Sequence, residues 1–351
     1  MGALRHIGGV AWCVGIAVFI GLIIWSGFTE VGSAVVSVGW GMLFVALTRV
    51  AAVSVAGAGW WALFPAPGRV ELGTAIFLRF VREAVNTLLP FTQVGGDILG
   101  ARLLTFWAVP GPLAAASVII DVLIQAVTLF LFAALGLAAL IALGADKAVT
   151  WVAAAGLGLA LPMLGGFYVV QREAGRRILY LVLGHLKFDA NWRVLGTVDA
   201  VYQSLSMIYR QPSKLMAGGQ VHILSWLIGV AEVWIVLAWT GHPVSVGDAL
   251  VIESLGQAVR GGAFVIPGAI GAQEAGLVLL CGLFGVPPDQ ALALSLIKRA
   301  VDLVVGVPGL IALQVMESRR VAANARSRQA SSSIAGRTEI SCGGCQLPLR
   351  F

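Results

Sequence analysis

The stretch Arg82-Glu83-Ala84-Val85-Asn86-Thr87-Leu88-Leu89-Pro90, continued by Gly95-Gly96-Asp97, returns later in the chain as Val265-Ile266-Pro267-Gly268-Ala269-Ile270-Gly271-Ala272-Gln273-Glu274. In each copy an acidic residue follows a proline by seven positions, with glycine between them. Arginine precedes each within apolar sequence, Arg79 and Arg82 in the first copy and Arg260 in the second. A second charged apolar segment follows each, Ser117-Val118-Ile119-Ile120-Asp121 and Ser295-Leu296-Ile297-Lys298-Arg299. A duplicated unit of Gly- and Pro-broken hydrophobic segments that carry charge is the pattern of a two-fold membrane-transport core.

Composition fixes the class. Of 351 residues, 59% are hydrophobic and 11% charged, with a mean hydropathy of +0.92; a soluble domain carries roughly 25% charged residues. The chain reads as an all-α polytopic membrane protein. The apolar runs lack the strict alternation of a β-barrel. The net charge of +6 does not point to nucleic acid, because the basic residues gather around 172–214 and in the tail after 318. That is a positive-inside pattern, which puts both clusters and both termini on the cytoplasmic side of a bacterial inner membrane. The apolar run from Ile7 to Phe28 has no A-x-A exit and reads as a retained first span. Cys13 and Cys281 lie in apolar spans and read as packing residues. Cys342 and Cys345 form one CxxC without further ligands nearby, so no metal is expected.

Apolar runs predict spans over 8–28, 36–64, 112–143, 149–171, 217–240 and 289–315. Between them, 72–108 and 248–286 are apolar but interrupted, as re-entrant or broken helices are. If the short, weakly basic turns face outward, the two interrupted segments are entered from opposite sides. The expected fold is therefore a helix bundle with two inverted repeats, about 36–143 and 217–315, each containing a re-entrant or broken helix pair. Residues 172–214 are too polar to span. Val194, Val198, Val201, Leu205 and Ile208 make one apolar stripe there, predicting an amphipathic connector that lies on the inner leaflet or caps the bundle. The domain is expected to end near 318, followed by a disordered tail over 319–351.

The charges inside apolar segments are Arg49, Arg79, Arg82, Arg102, Arg260, Lys298 and Arg299 against Glu83, Asp97, Asp121, Glu232, Glu253, Glu274 and Asp302. Left unpaired they would cost roughly 40 kcal/mol, at about 2.5–3.5 kcal/mol each. They must pair, line a hydrated cavity, or both. Helical spacing places Arg79, Arg82, Glu83 and Asn86 on one face, and Glu253, Gln257 and Arg260 on another. Asp121 with Gln125, and Lys298 with Arg299 and Asp302, form two more. Four polar stripes in an apolar bundle converge most simply on one polar site. The predicted substrate-binding set is Arg79, Arg82, Glu83, Asn86, Asp97, Arg102, Asp121, Glu253, Arg260, Glu274, Lys298, Arg299 and Asp302. Pro90, Gly95, Gly96, Pro267, Gly268 and Gly271 would shape the helix breaks. The alternative reading of each charge is a buried ion pair that fixes helix register.

No HExxH, G-x-S-x-G or P-loop occurs, so neither an enzyme nor a cofactor is expected.

At Arg82 to Pro90, Gly95-Gly96-Asp97 with Arg102, Ile266 to Glu274, and Ser295 to Arg299 with Pro308-Gly309-Leu310, the chain resembles the lysylphosphatidylglycerol synthase transmembrane-region family. Within it, the chain looks closest to the stand-alone hopanoid-biosynthesis-associated membrane proteins. The resemblance covers about 5–318. It implies a flippase-like domain that moves a polar-headed or hopanoid-type lipid between leaflets; neither a following synthase domain nor aminoacyl transfer is expected. Where the family often has Pro-Gly-Gly, this chain has Pro267-Gly268-Ala269. An ion-coupled carrier of a small polar solute and a membrane enzyme acting on lipid head groups are the rival readings.

Overall fold

A computed structural model describes residues 29, 33, 36–65, 70–88, 95–144, 147–185, 192–263 and 266–342. The first predicted span, over 8–28, lies outside the described residues, as do Pro90 and Cys345. Among the described residues there is no strand. The helices are α1 (Gly41–Ala62), α2 (Leu72–Leu88), α3 (Gly95–Leu104), α4 (Gly111–Ala142), α5 (Lys147–Val170), α6 (Glu173–His185), α7 (Trp192–Tyr209), α8 (Pro212–Trp239), α9 (Val246–Gly262), α10 (Ala272–Gly282) and α11 (Pro288–Cys342). Four of them, α1, α4, α5 and α8, are long and apolar enough to cross a bilayer.

Local chemistry sets the ends. Pro112 in the first turn of α4 and Pro212 at the start of α8 occupy positions whose N–H would have no helical partner. Ser245 caps α9: its Oγ accepts from the Asp248 N–H at 3.1 Å, and Asp248 Oδ2 accepts from the Ser245 N–H at 3.0 Å. The two interrupted segments are each a pair of short helices, α2 with α3 and α9 with α10. In the second break, Gly268 (φ 65°), Ala269 (φ 49°) and Gly271 (φ 82°) are left-handed, which glycine allows and alanine tolerates poorly.

The helices pack as two matched sets of four. α1 packs on α2 as α8 packs on α9, α2 on α3 as α9 on α10, and α3 on α4 as α10 on α11. Across the sets, α2 meets α11 and α9 meets α4 in the same manner. The central contact is α1 on α8. Gly41 lies against Trp239 at one end, and Gly59 and Leu63 lie against His222 and Gly218 at the other, so the two helices run antiparallel. Small residues at such a crossing let the backbones approach closely, which is how helices associate in lipid.

Each set has its own apolar core. Trp60, Leu78, Val81, Leu103, Leu113 and Ile120 belong to one; Val233, Ile252, Leu277, Leu280, Leu294 and Ile297 belong to the other. The connector's stripe caps the bundle: Leu205 and Ile208 of α7 are buried in the first core, against α4. α5 packs on α4, with Val149 and Ala153 against the second core, but buries no residue fully, so most of its apolar surface is available to lipid. Sequence alone predicts disorder from 319, whereas α11 continues to Cys342. The run Val321-Ala322-Ala323-Asn324-Ala325-Arg326 is rich in strong helix formers and extends the preceding apolar helix.

Candidate functional site

Arg82 sits at the centre of the first set and is 1% exposed. Space for it comes from α3. A Cβ on Gly100 would lie 2.5 Å from Arg82 Cδ, and one on Gly96 would overlap the Arg82 carbonyl oxygen. The guanidinium stands 4.5 Å from the Trp60 ring centroid, a cation–π contact in a desolvated place. Its Nε and Nη2 donate to Asp97 Oδ1 at 3.0 and 2.6 Å, and its Nη1 donates to Asp121 Oδ2 at 2.8 Å. Asn86 orients the pair, accepting from the Gly96 N–H at 2.7 Å and donating to Asp97 Oδ2 at 3.4 Å.

From Asp121 the polar chain runs on. Arg79 donates to Asp121 Oδ2 at 3.4 Å and to Gln125 Oε1 at 2.7 Å, and Gln125 donates to Asp121 Oδ2 at 2.8 Å. His222 of α8 holds Asp121 Oδ1 at 3.0 Å. Arg79 Nη2 lies 3.4 Å from Glu83 Oε2. Arg49 of α1 then bridges the sets, 3.0 Å from Glu83 and 2.8 Å from Asp302 of α11. Arg260 Nη1 lies 3.6 Å from Asp302 Oδ2. One unbroken series of opposite charges thus links α2, α3, α4, α1, α11 and α9.

The second set holds two more clusters. Lys298 Nζ lies 2.7 Å from Glu253 and 3.1 Å from Glu232, and Gln257 donates to Glu253 Oε1 at 2.8 Å. Glu274 stands third in α10, as Asp97 stands third in α3. Its Oε2 accepts from the Gly271 N–H at 2.6 Å. Its Oε1 accepts from Ser295 at 2.8 Å and from Arg299 Nε and Nη2 at 2.8 and 2.6 Å. Arg299 Nη2 also donates to the Gly268 carbonyl at 3.3 Å, so the left-handed break is tied to α11.

The stripes pair with one another in one series and two separate clusters, not around one site. Sequence alone predicts a polar cavity here. The structure has a crevice of about 10 Å³ beside Arg49, Glu83 and Asp302, walled by Phe80, Ala84 and Thr87 of α2 and Val305 and Gly306 of α11. That is room for about one water. The physical reason is direct pairing: side chains of opposite sign lie within ion-pair distance of one another and fill the space between the helices. A wider opening of about 910 Å³ lies elsewhere, at the junction of α5, α6 and α7, lined by Gln171, Arg172, Tyr202, Tyr209 and Arg210.

Of the predicted residues, Arg102 is misplaced. It is exposed, pairs with Glu317 at 3.0 Å, and belongs to none of these clusters, because it falls in the last turn of α3 facing outward. The others lie in the polar clusters described above. Gly95 and Gly96 open α3, and Gly268 and Gly271 shape the second break; Pro267 begins its turn. Residues missing from the predicted set are Arg49, His222, Glu232 and Trp60. Arg49 and Glu232 did carry a signal, as lone charges in long apolar helices.

The family model described as Lysylphosphatidylglycerol synthase TM region matches residues 12–309. A curated relative, a UPF0104 membrane protein from Methanothermobacter thermautotrophicus, is 22% identical over 238 residues, which cover 63% of this chain and 69% of the relative. No solved structure matches the chain significantly.

Proposed function

Because the chain belongs to the lysylphosphatidylglycerol synthase TM region family, we propose that it translocates a lipid with a polar head, of phospholipid or hopanoid type, between the leaflets of a bacterial inner membrane, with both termini cytoplasmic. The antiparallel crossing of α1 and α8, and the exchange symmetry of the packing around it, support an inverted repeat. In that arrangement the pairs α2–α3 and α9–α10 are re-entrant from opposite sides.

The observation that carries this reading is the ion-pair series joining the two sets through Arg49. A buried series of matched charges holds the halves together while empty. A head group with its own charges can replace those partners one for one, opening the seam without leaving an ion unpaired. The crevice between α2 and α11 is where the head would enter from the side, its acyl or polycyclic body remaining in lipid. Arg79, Arg82 and Arg49 would take an anionic group, and Glu83 and Asp302 a cationic one. No covalent step is assigned to the protein.

Reconstitution with labelled lipid tests it. Exchange between leaflets with unchanged lipid mass is the expected result. Altered lipid mass would favour an enzyme, and transport of a water-soluble solute without lipid exchange would favour a sealed carrier.

A further inference from the structure

Among the described residues of the polar clusters, Glu232 is the one carboxylate with a buried oxygen that finds no partner. The residue is 2% exposed, and its Oε1 has no hydrogen-bond partner among the described residues. Its Oε2 shares Lys298 Nζ with Glu253, at 3.1 and 2.7 Å. Glu253 is fully satisfied, since Gln257 donates to its other oxygen. Two carboxylates therefore face one ammonium, out of water, on three different helices.

Among the described residues no other cation makes up the difference. Arg49 of α1 is near enough to act on both carboxylates but is already paired with Glu83 and Asp302. Asp302 of α11 also faces Glu232 and adds a negative charge. The ionisable groups that α4 brings toward α8, Asp121 with His222, belong to the other cluster. A metal ion has no place between the carboxylates, because Lys298 Nζ occupies it. A buried carboxylate with a surplus negative charge and an empty lone pair is neutralised by taking up a proton.

We propose that Glu232 is a proton-binding site, holding one exchangeable proton over the Lys298–Glu253 pair. Protonation turns Glu232 into a neutral acid and leaves one carboxylate to one ammonium. Loss of the proton restores repulsion between α8 and α9, where Gly229 brings α8 against Glu253 with only 3.2 Å between a Cβ there and Oε1. Binding and release thus bear on the contact of α8 with α9 and α11. Coupling of that proton to lipid movement rests on the transport reading above; the proton site does not.

Infrared titration of the protein in nanodiscs tests the site directly. A protonated-carboxyl band is expected that exchanges in D2O and fades as pH rises. It is lost in Glu232→Gln, and lost also in Glu253→Gln, which leaves one carboxylate for one ammonium. Absence of the band in the wild type, or its persistence in Glu232→Gln, would overturn the proposal. In liposomes, an imposed pH gradient is expected to change the rate of leaflet exchange in the wild type and to have no effect in Glu232→Gln. Exchange that ignores the gradient overturns coupling and leaves lipid transport standing. An intact band without any exchange upholds the proton site and overturns the transport reading.

Discussion

Asp97 and Glu274 stand third in the two short helices that follow the breaks, and each accepts an arginine Nη2 at 2.6 Å. The arginines come from different directions. Arg82 reaches Asp97 from α2, before the break, whereas Arg299 reaches Glu274 from α11, after it. The copies share a carboxylate position at a helix N-terminus, where the helix dipole favours a negative charge, and differ in what meets it.

Arg82→Gln is expected to destabilise the protein by about 3–5 kcal/mol, since it removes the buried guanidinium that Asp97 and Asp121 share. Adding Asp97→Asn should recover part of that loss. Denaturation in mixed micelles measures both; strictly additive losses would mean that the pair does not act as a unit.

The glycines of α3 separate two kinds of crowding. Gly96→Ala puts a methyl into the Arg82 carbonyl, a backbone atom, while Gly100→Ala meets the Arg82 side chain, which can shift. Gly96→Ala should therefore cost the more, about 1–3 kcal/mol or above. Equal melting shifts would contradict this seating of Arg82.

A disulfide across the crevice should stop transport. A Cβ on Gly306 would lie 3.6 Å from Ala84 Cα, within reach of a bond between Ala84→Cys and Gly306→Cys. With the native cysteines replaced, oxidation should block leaflet exchange and reduction should restore it. Undiminished exchange in the oxidised protein would remove α2 and α11 from the lipid path.

The connector's docking has a pH limit. Burial pushes the Tyr209 hydroxyl from 10.0 up to about 12, and that hydroxyl donates to Gln171 Oε1 at 2.7 Å. A value raised in the folded state means the contribution is whole below pH 10 and is lost as pH rises from 10 through 12. Protease access to the α6–α7 region should rise over that window and should be higher at neutral pH in Tyr209→Phe. A flat profile would show that the bond holds nothing in place.

Much of this was readable in the sequence. Proline, glycine and an acidic residue at fixed offsets are local signals, so both breaks and the helices around them could be placed before any coordinates. The i, i+4 spacing of Arg79 and Glu83, or of Glu253 and Gln257, likewise fixes which side chains share a face. Spacing does not say which helix lies opposite, and that is why Arg49 and His222 were missed as the bridge and the partner of Asp121. Each stands in a long apolar helix with no charged neighbour three or four residues away to mark it. Arg102 misled for the reverse reason: it follows the motif in sequence, but the short α3 ends there and turns it outward.

Gly59 contributes no side chain, and His222 Nε2 fills the notch that results; a Cβ at Gly59 would lie 2.9 Å from it. The same ring grips Asp121. Any change in how α1 crosses α8 is accordingly passed through a single imidazole to the most deeply sunk acid of the first half.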